Sequence, residues 1–147
     1  MNFKSFNLKK ELIEALNELG YFEATKVQDV VIPKALKGEN IIVQSETGSG
    51  KTHSFLIPIL NNLEFNNKLQ AIIISPTREL SKQTYLFASQ FKKYFPSLNV
   101  KLYISGVDTT RNEESLESGT EIAIATPGRL KYLLNNVNID LSNLKTI

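Results

Sequence analysis

One stretch constrains this chain more than any other: Ser45-Glu46-Thr47-Gly48-Ser49-Gly50-Lys51-Thr52. A short apolar run, Asn40-Ile41-Ile42-Val43-Gln44, precedes it, and a helical pattern from about Lys51 to Leu60 follows. Strand, glycine-rich loop and helix in that order predict a loop that wraps an anion. Gly48 and Gly50 let the backbone curl so that its N–H groups point inward, and the helix N-terminus adds its partial positive charge. Lys51 is placed to reach outer phosphates and the Thr52 hydroxyl to ligate Mg²⁺. A nucleoside triphosphate with Mg²⁺ is therefore the expected ligand. Such a loop usually begins with Gly, and Ser45 serves instead if the local backbone needs no positive φ. The blander reading is a Gly/Ser loop capping an ordinary helix. The loop alone does not choose among kinases, GTPases, ATPases and helicases.

The rest of the chain alternates helical and short apolar segments, which signals an α/β fold on a parallel sheet. Leu8, Leu12, Leu16 and Leu19 recur at helical spacing over about Lys9 to Leu19, with Asn7 as the expected cap and Gly20 as the stop. Thr25-Lys26-Val27-Gln28 has the capping-box form and opens a second helix, in which Pro33 introduces a kink and which Lys37-Gly38 ends. Strands are expected at Ala71–Ile74, Val100–Ile104 and Ile122–Ala125 besides the one at Asn40–Gln44. A helix over about Arg78 to Tyr94 should bury Leu80, Thr84, Phe87 and Phe91. Residues 108–118 read as a polar helix or loop, Thr126-Pro127 opens a further helix, and Leu144–Ile147 starts one more strand.

With 147 residues, 41% of them hydrophobic and 22% charged, the chain suits one ordinary globular domain. No apolar run approaches the roughly 20 residues that span a bilayer, so no membrane partner is expected. Zero cysteines exclude disulfides and thiolate metal sites and fit a cytoplasmic protein. A net charge of only +2 marks no basic patch, so any nucleic-acid reading must rest on motifs.

Three motifs supply that reading. The first is Gly20-Tyr21-Phe22-Glu23-Ala24-Thr25-Lys26-Val27-Gln28, with the aromatic Phe3 standing 17 residues before Gly20. The second, Pro76-Thr77-Arg78-Glu79-Leu80-Ser81-Lys82-Gln83, follows the strand that ends at Ser75, and the third, Thr126-Pro127-Gly128-Arg129, also joins a strand to a helix. With the loop, these resemble the first RecA-like domain of the DEAD-box RNA helicases, nearest to the bacterial members, over essentially the whole chain. The resemblance implies a three-layer P-loop NTPase, a RecA-like parallel sheet flanked by helices. It divides the chain into a Q-motif region, 1–28, and part of an ATP-binding domain, 29–147, with the second RecA-like domain absent.

The same resemblance assigns roles. ATP and Mg²⁺ are the implied cofactors, held by Phe3, Tyr21, Thr25, Gln28, Ser45, Glu46, Thr47, Gly48, Ser49, Gly50, Lys51 and Thr52. Gln28 reads the adenine edge, since an amide donates and accepts at once, and Phe3 packs on the base. Lys51 and Thr52 are the catalytic candidates, Thr52 being also the metal ligand. RNA backbone is held by Pro76, Thr77, Arg78, Glu79, Gly106, Thr126, Pro127, Gly128 and Arg129, without sequence specificity. The family departs here at Tyr21 for Phe, Ala24 for Pro, and Gly106-Val107 for a Gly-Gly pair. Several of these residues also have a bland role: Gln28 and Thr77 as caps, Phe3 as a core anchor, Arg78 in an ion pair. His53, the only histidine, is read as structural. The Asp-Glu-Ala-Asp motif of the family would lie beyond Ile147, so these residues by themselves should bind nucleotide and not turn it over. Two other readings stay open: a non-enzymatic nucleotide or RNA module, and a P-loop enzyme of another class.

Overall fold

A computed structural model of the chain describes residues 1–106 and 109–147, the side chains at 109–111 excepted. Val107, read above as half of a broken glycine pair, lies outside the described residues. The backbone packs as two compact units, Met1–Leu63 and Glu64–Ile147.

The first unit is helical. A 3-10 turn at Phe3–Phe6 leads to α1 (Lys10–Glu18), α2 (Lys26–Leu36) and α3 (Lys51–Asn61). Leu12 and Leu16 bury the inner stripe of α1 as their spacing predicts, and α2 packs along α3. Asn7 does not cap α1. It takes the left-handed conformation, φ 58°, that ends the 3-10 turn, and Lys9 precedes α1 with no side-chain cap bond. Asn is among the few non-glycine residues at ease there, and closing the turn takes precedence over capping. α2 runs through Pro33 to Leu36. The expected strand at Asn40–Gln44 is absent. A strand needs a neighbour's backbone groups, and among the described residues none pairs with 40–44. Ile42 is 101% exposed as a result.

The second unit carries the sheet: β1 (Ala71–Ile74), β2 (Val100–Tyr103) and β3 (Ile122–Ala125), all parallel, in the order β1-β3-β2. α4 (Arg78–Ser89) joins β1 to β2, α5 (Thr109–Glu117) joins β2 to β3, and α6 (Pro127–Asn136) follows. The chain passes over β3 and then steps back to it. Right-handed crossovers in opposite directions place their helices on opposite faces of a sheet. α4 accordingly packs along β2 and β3, while Leu116 of α5 and Leu130 and Leu133 of α6 meet Ile72, Tyr103, Ala123 and Ala125 in one core cluster. Helices on both faces give the three layers the sequence predicts. Thr146 forms a single parallel bridge to Ala71, the beginning of the strand expected at 144–147.

Two details depart from the pattern reading. The predicted helix 78–94 is α4 plus a 3-10 turn, Gln90–Lys93. Its buried face is Ser81, Thr84, Ala88 and Phe91, whereas Leu80 and Leu86 are exposed. Small side chains let α4 lie close on the sheet, a preference that hydrophobicity alone does not reveal. At the opposite end of the strands, buried Glu121 accepts hydrogen bonds from the backbone N–H groups of Asn99 (3.0 Å) and Asn67 (3.4 Å), tying together the loops that enter β2 and β1. Tyr103 pairs its hydroxyl with Thr120 (2.7 Å) and Ser115 (3.0 Å), and burial holds its phenol above the usual pKa.

Candidate nucleotide and nucleic-acid sites

In the first unit, Thr25 and Gln28 form a complete capping box. Thr25 Oγ1 accepts from the Gln28 N–H (3.4 Å), and Gln28 Oε1 accepts from the Thr25 N–H (3.0 Å). The same Gln28 side chain donates through Nε2 to the carbonyl of Gly50 (3.2 Å). Two sequence motifs 22 residues apart therefore meet at one amide. Gly50 sits at φ 92°, and a Cβ there would stand 2.5 Å from Gln28 Nε2 and 3.1 Å from Thr25 Oγ1. Only glycine meets both demands. Gln28 is 4% exposed, yet each end of its amide has one bond used and one left.

The loop is folded on itself. Ser45 Oγ donates to Ser49 Oγ (2.8 Å), the Ser49 N–H to the Glu46 carbonyl (3.3 Å), and Lys51 Nζ to the carbonyls of Ser45 and Glu46. Gly48 is at φ 79°, with open space where a side chain would be. The lysine ammonium thus lies inside the ring of backbone that a phosphate would enter. Thr47 belongs to the same turn, and Thr52 stands in the first turn of α3 beside Lys51.

Around the loop, Tyr21 and His53 stack at 4.6 Å in a tilted pair, and burial lowers the His53 pKa below its usual value. Through this ring contact His53 joins the segment before α2 to α3. Phe3 is 3% exposed and packs its ring 6.0 Å from Phe6. Asn2 bridges Glu23, and the Ala24 N–H donates to the Met1 carbonyl (2.8 Å), so this first segment is strapped to the loop that leads into α2. The anchoring role of Phe3 is thus present in the fold. Its ring is turned into the core.

In the second unit the register fixes the site. Ile74 and Tyr103 both align with Ala125, so the segments after β1, β2 and β3 leave the sheet at one edge. That is the carboxyl end, where open α/β sheets bind ligands. Thr77 Oγ1 caps α4 by accepting from the Leu80 N–H (3.1 Å), and Pro76 and Glu79 are exposed beside it. Exposed Arg78 reaches back so that its Nη2 lies 3.5 Å from where a Gly106 Cβ would be, with Gly106 at φ 87°. Thr126 precedes α6 without a side-chain cap bond, and Pro127 takes the first helical position, where its missing N–H leaves no donor unsatisfied. Gly128 has open space around it. Arg129 lays its guanidinium 4.8 Å over the Tyr132 ring, and its Nε and Nη2 are buried with no hydrogen-bond partner among the described residues.

The model of one family, described as DEAD/DEAH box helicase, matches residues 25–147. The chain belongs to that family. It is 39% identical to the ATP-dependent RNA helicase CshA of Limosilactobacillus reuteri, over 100% of this chain and 30% of the relative. It is 38% identical to the DEAD-box ATP-dependent RNA helicase CshB of Listeria monocytogenes, over 99% of this chain and 34% of the relative. The crystal structure of a DEAD box protein from the hyperthermophile Methanococcus jannaschii superposes with a TM-score of 0.91 at 34% identity, covering 98% of this chain and 39% of that one. The chain thus spans about a third of the length of the relatives it matches.

The relatives named ATP-dependent make a nucleotide the ligand to test against this loop. The donor set agrees: one lysine among the carbonyls of the loop, open space beside Gly48, and one hydroxyl, Thr52, directly after the lysine. A single protein oxygen suits a cation that draws its remaining ligands from phosphate and water. Tyr132 escaped the sequence reading. Its signal was there, an aromatic three residues after Arg129 on one helix, the spacing at which side chains meet. No helix among the described residues is long and apolar enough to cross a membrane.

Proposed function

We propose that this chain is the nucleotide- and RNA-binding front part of an ATP-dependent RNA helicase, working in the cytoplasm. The observation that carries the reading is the Gln28–Gly50 hydrogen bond, which sets an adenine-reading amide directly against the phosphate loop. Adenine N6–H and N7 would meet the unused oxygen lone pair and amide hydrogen of Gln28. Tyr21 and Thr25 line the approach, and Phe3 holds the strap behind it. Ser45 to Gly50 offer backbone N–H groups to the phosphates, Lys51 leaves its two carbonyls for them, and Thr52 is the protein's ligand to Mg²⁺. The cation, when bound, neutralises phosphate charge. Pro76, Thr77, Arg78 and Glu79, with Gly106 and the segment Thr126-Pro127-Gly128-Arg129, would form the RNA face, taking phosphate and ribose rather than bases. In the whole protein, ATP binding and hydrolysis would be coupled to local strand separation. The domain division at residue 28 belongs to the same proposal, with the Q-motif region leading into the ATP-binding part.

The 147 residues contain no Asp-Glu-Ala-Asp sequence, and they are expected to bind without turnover. Titration of the chain with Mg²⁺–ADP, and separately with single-stranded RNA, tests the reading. Lys51→Ala should lose nucleotide and keep RNA, whereas Arg78→Ala should do the reverse. Loss of both ligands in either variant at unchanged thermal stability would show that the two sets of residues are not separate sites.

A further inference from the structure

The guanidinium of Arg129 is held unusually for an exposed helix start. Its Nε and Nη2 are buried without a hydrogen-bond partner among the described residues, and the guanidinium lies 4.8 Å over the Tyr132 ring. Unpaired buried donors are unfavourable, so a fold that retains them leaves room for an acceptor that arrives later. Nε and Nη2 form the edge of the fork that takes two oxygens of one phosphate or carboxylate side by side. That edge is the one without a partner among the described residues.

Stacking explains how it is kept so. Arg has several rotatable bonds, and a planar ring beneath the guanidinium fixes its plane while leaving the in-plane N–H groups unused. A carboxylate partner would fix the side chain equally well and occupy the fork. Tyr132 is itself held at its far end, where its hydroxyl donates to Glu113 Oε1 (3.5 Å), and its ring stays half exposed. From this geometry we infer that Tyr132 is a positioning residue: it pre-orients Arg129 for bidentate capture of an RNA phosphate. The inference rests on the RNA face proposed above and adds a residue to it.

The test uses the 147-residue chain with Tyr132→Phe, Tyr132→Ala, Arg129→Ala, Arg78→Ala and the double variant Arg129→Ala/Tyr132→Ala. Two readouts are needed: the Arg129 Nε–H resonance in a ¹⁵N-labelled sample, and anisotropy of a fluorescent single-stranded uridine oligomer. Tyr132→Ala should remove the ring-current displacement of the Nε–H signal and weaken RNA about fivefold, the middle of the range for a cation–π contact. Tyr132→Phe should preserve both, and the double variant should bind no worse than Arg129→Ala. An unmoved Nε–H signal, full RNA affinity in Tyr132→Ala while Arg129→Ala is weak, or additive losses in the double variant would each overturn the inference alone. Absence of RNA binding, or binding untouched by both Arg78→Ala and Arg129→Ala, would remove the RNA face and the inference with it.

Discussion

Gly50 shows most clearly how a single residue joins two motifs. Its left-handed backbone starts α3, its carbonyl accepts from Gln28, and its missing side chain is what lets the Gln28 amide lie against it. Gly50→Ala should therefore fail twice. The positive φ and the 2.5 Å clash together should lower stability by about 1–2 kcal/mol. Adenine nucleotide binding should fall well beyond that loss, because Gln28 must move. Gly48→Ala, also at positive φ but with open space, should show only the backbone cost. Urea unfolding beside an ADP titration separates the two effects. Equal nucleotide affinity in both variants would mean that the Gln28 contact is incidental. The residues of this site were legible in the sequence because both motifs are local. Their meeting was not, since it depends on how α2 packs along α3.

At the scale of elements, strands β1, β2 and β3 are where alternating and apolar runs place them, and every predicted helix exists. The reading fails at residues 40–44 for a physical reason. Apolar composition states that a segment is buried or paired somewhere, and pairing needs a second strand that a local pattern cannot supply. It fails in part on α4, where Ser81 and Ala88 face inward and Leu80 is exposed, because close approach favours small residues. Caps follow their chemistry closely enough to be tested. Thr77 accepts from the Leu80 N–H, whereas Thr126 makes no side-chain cap bond. Thr77→Ala should cost about 1 kcal/mol and Thr126→Ala close to nothing, as measured by urea denaturation. Equal losses at the two positions would contradict these cap assignments.

For the molecule as a whole, charge says little and topology says much. Net charge is +2, with lysines and arginines spread along the sequence. The parallel sheet instead delivers Arg78 and Arg129 to one edge, a consequence of register that no composition reveals. RNA affinity should therefore depend weakly on salt. Removing either arginine should lower the slope of log affinity against log salt by roughly one phosphate equivalent. A steep slope that neither substitution alters would place RNA elsewhere on the surface.

The central claim is an adenine site formed by Gln28 against the phosphate loop, and it is tested most directly by titrating the chain with ADP and GDP in the presence of Mg²⁺, with Gln28→Ala alongside. The account predicts that ADP binds more tightly than GDP and that Gln28→Ala erases the preference while leaving the phosphate contribution through Lys51. Equal affinity for the two nucleotides in the wild type, or a preference that survives Gln28→Ala, would contradict it.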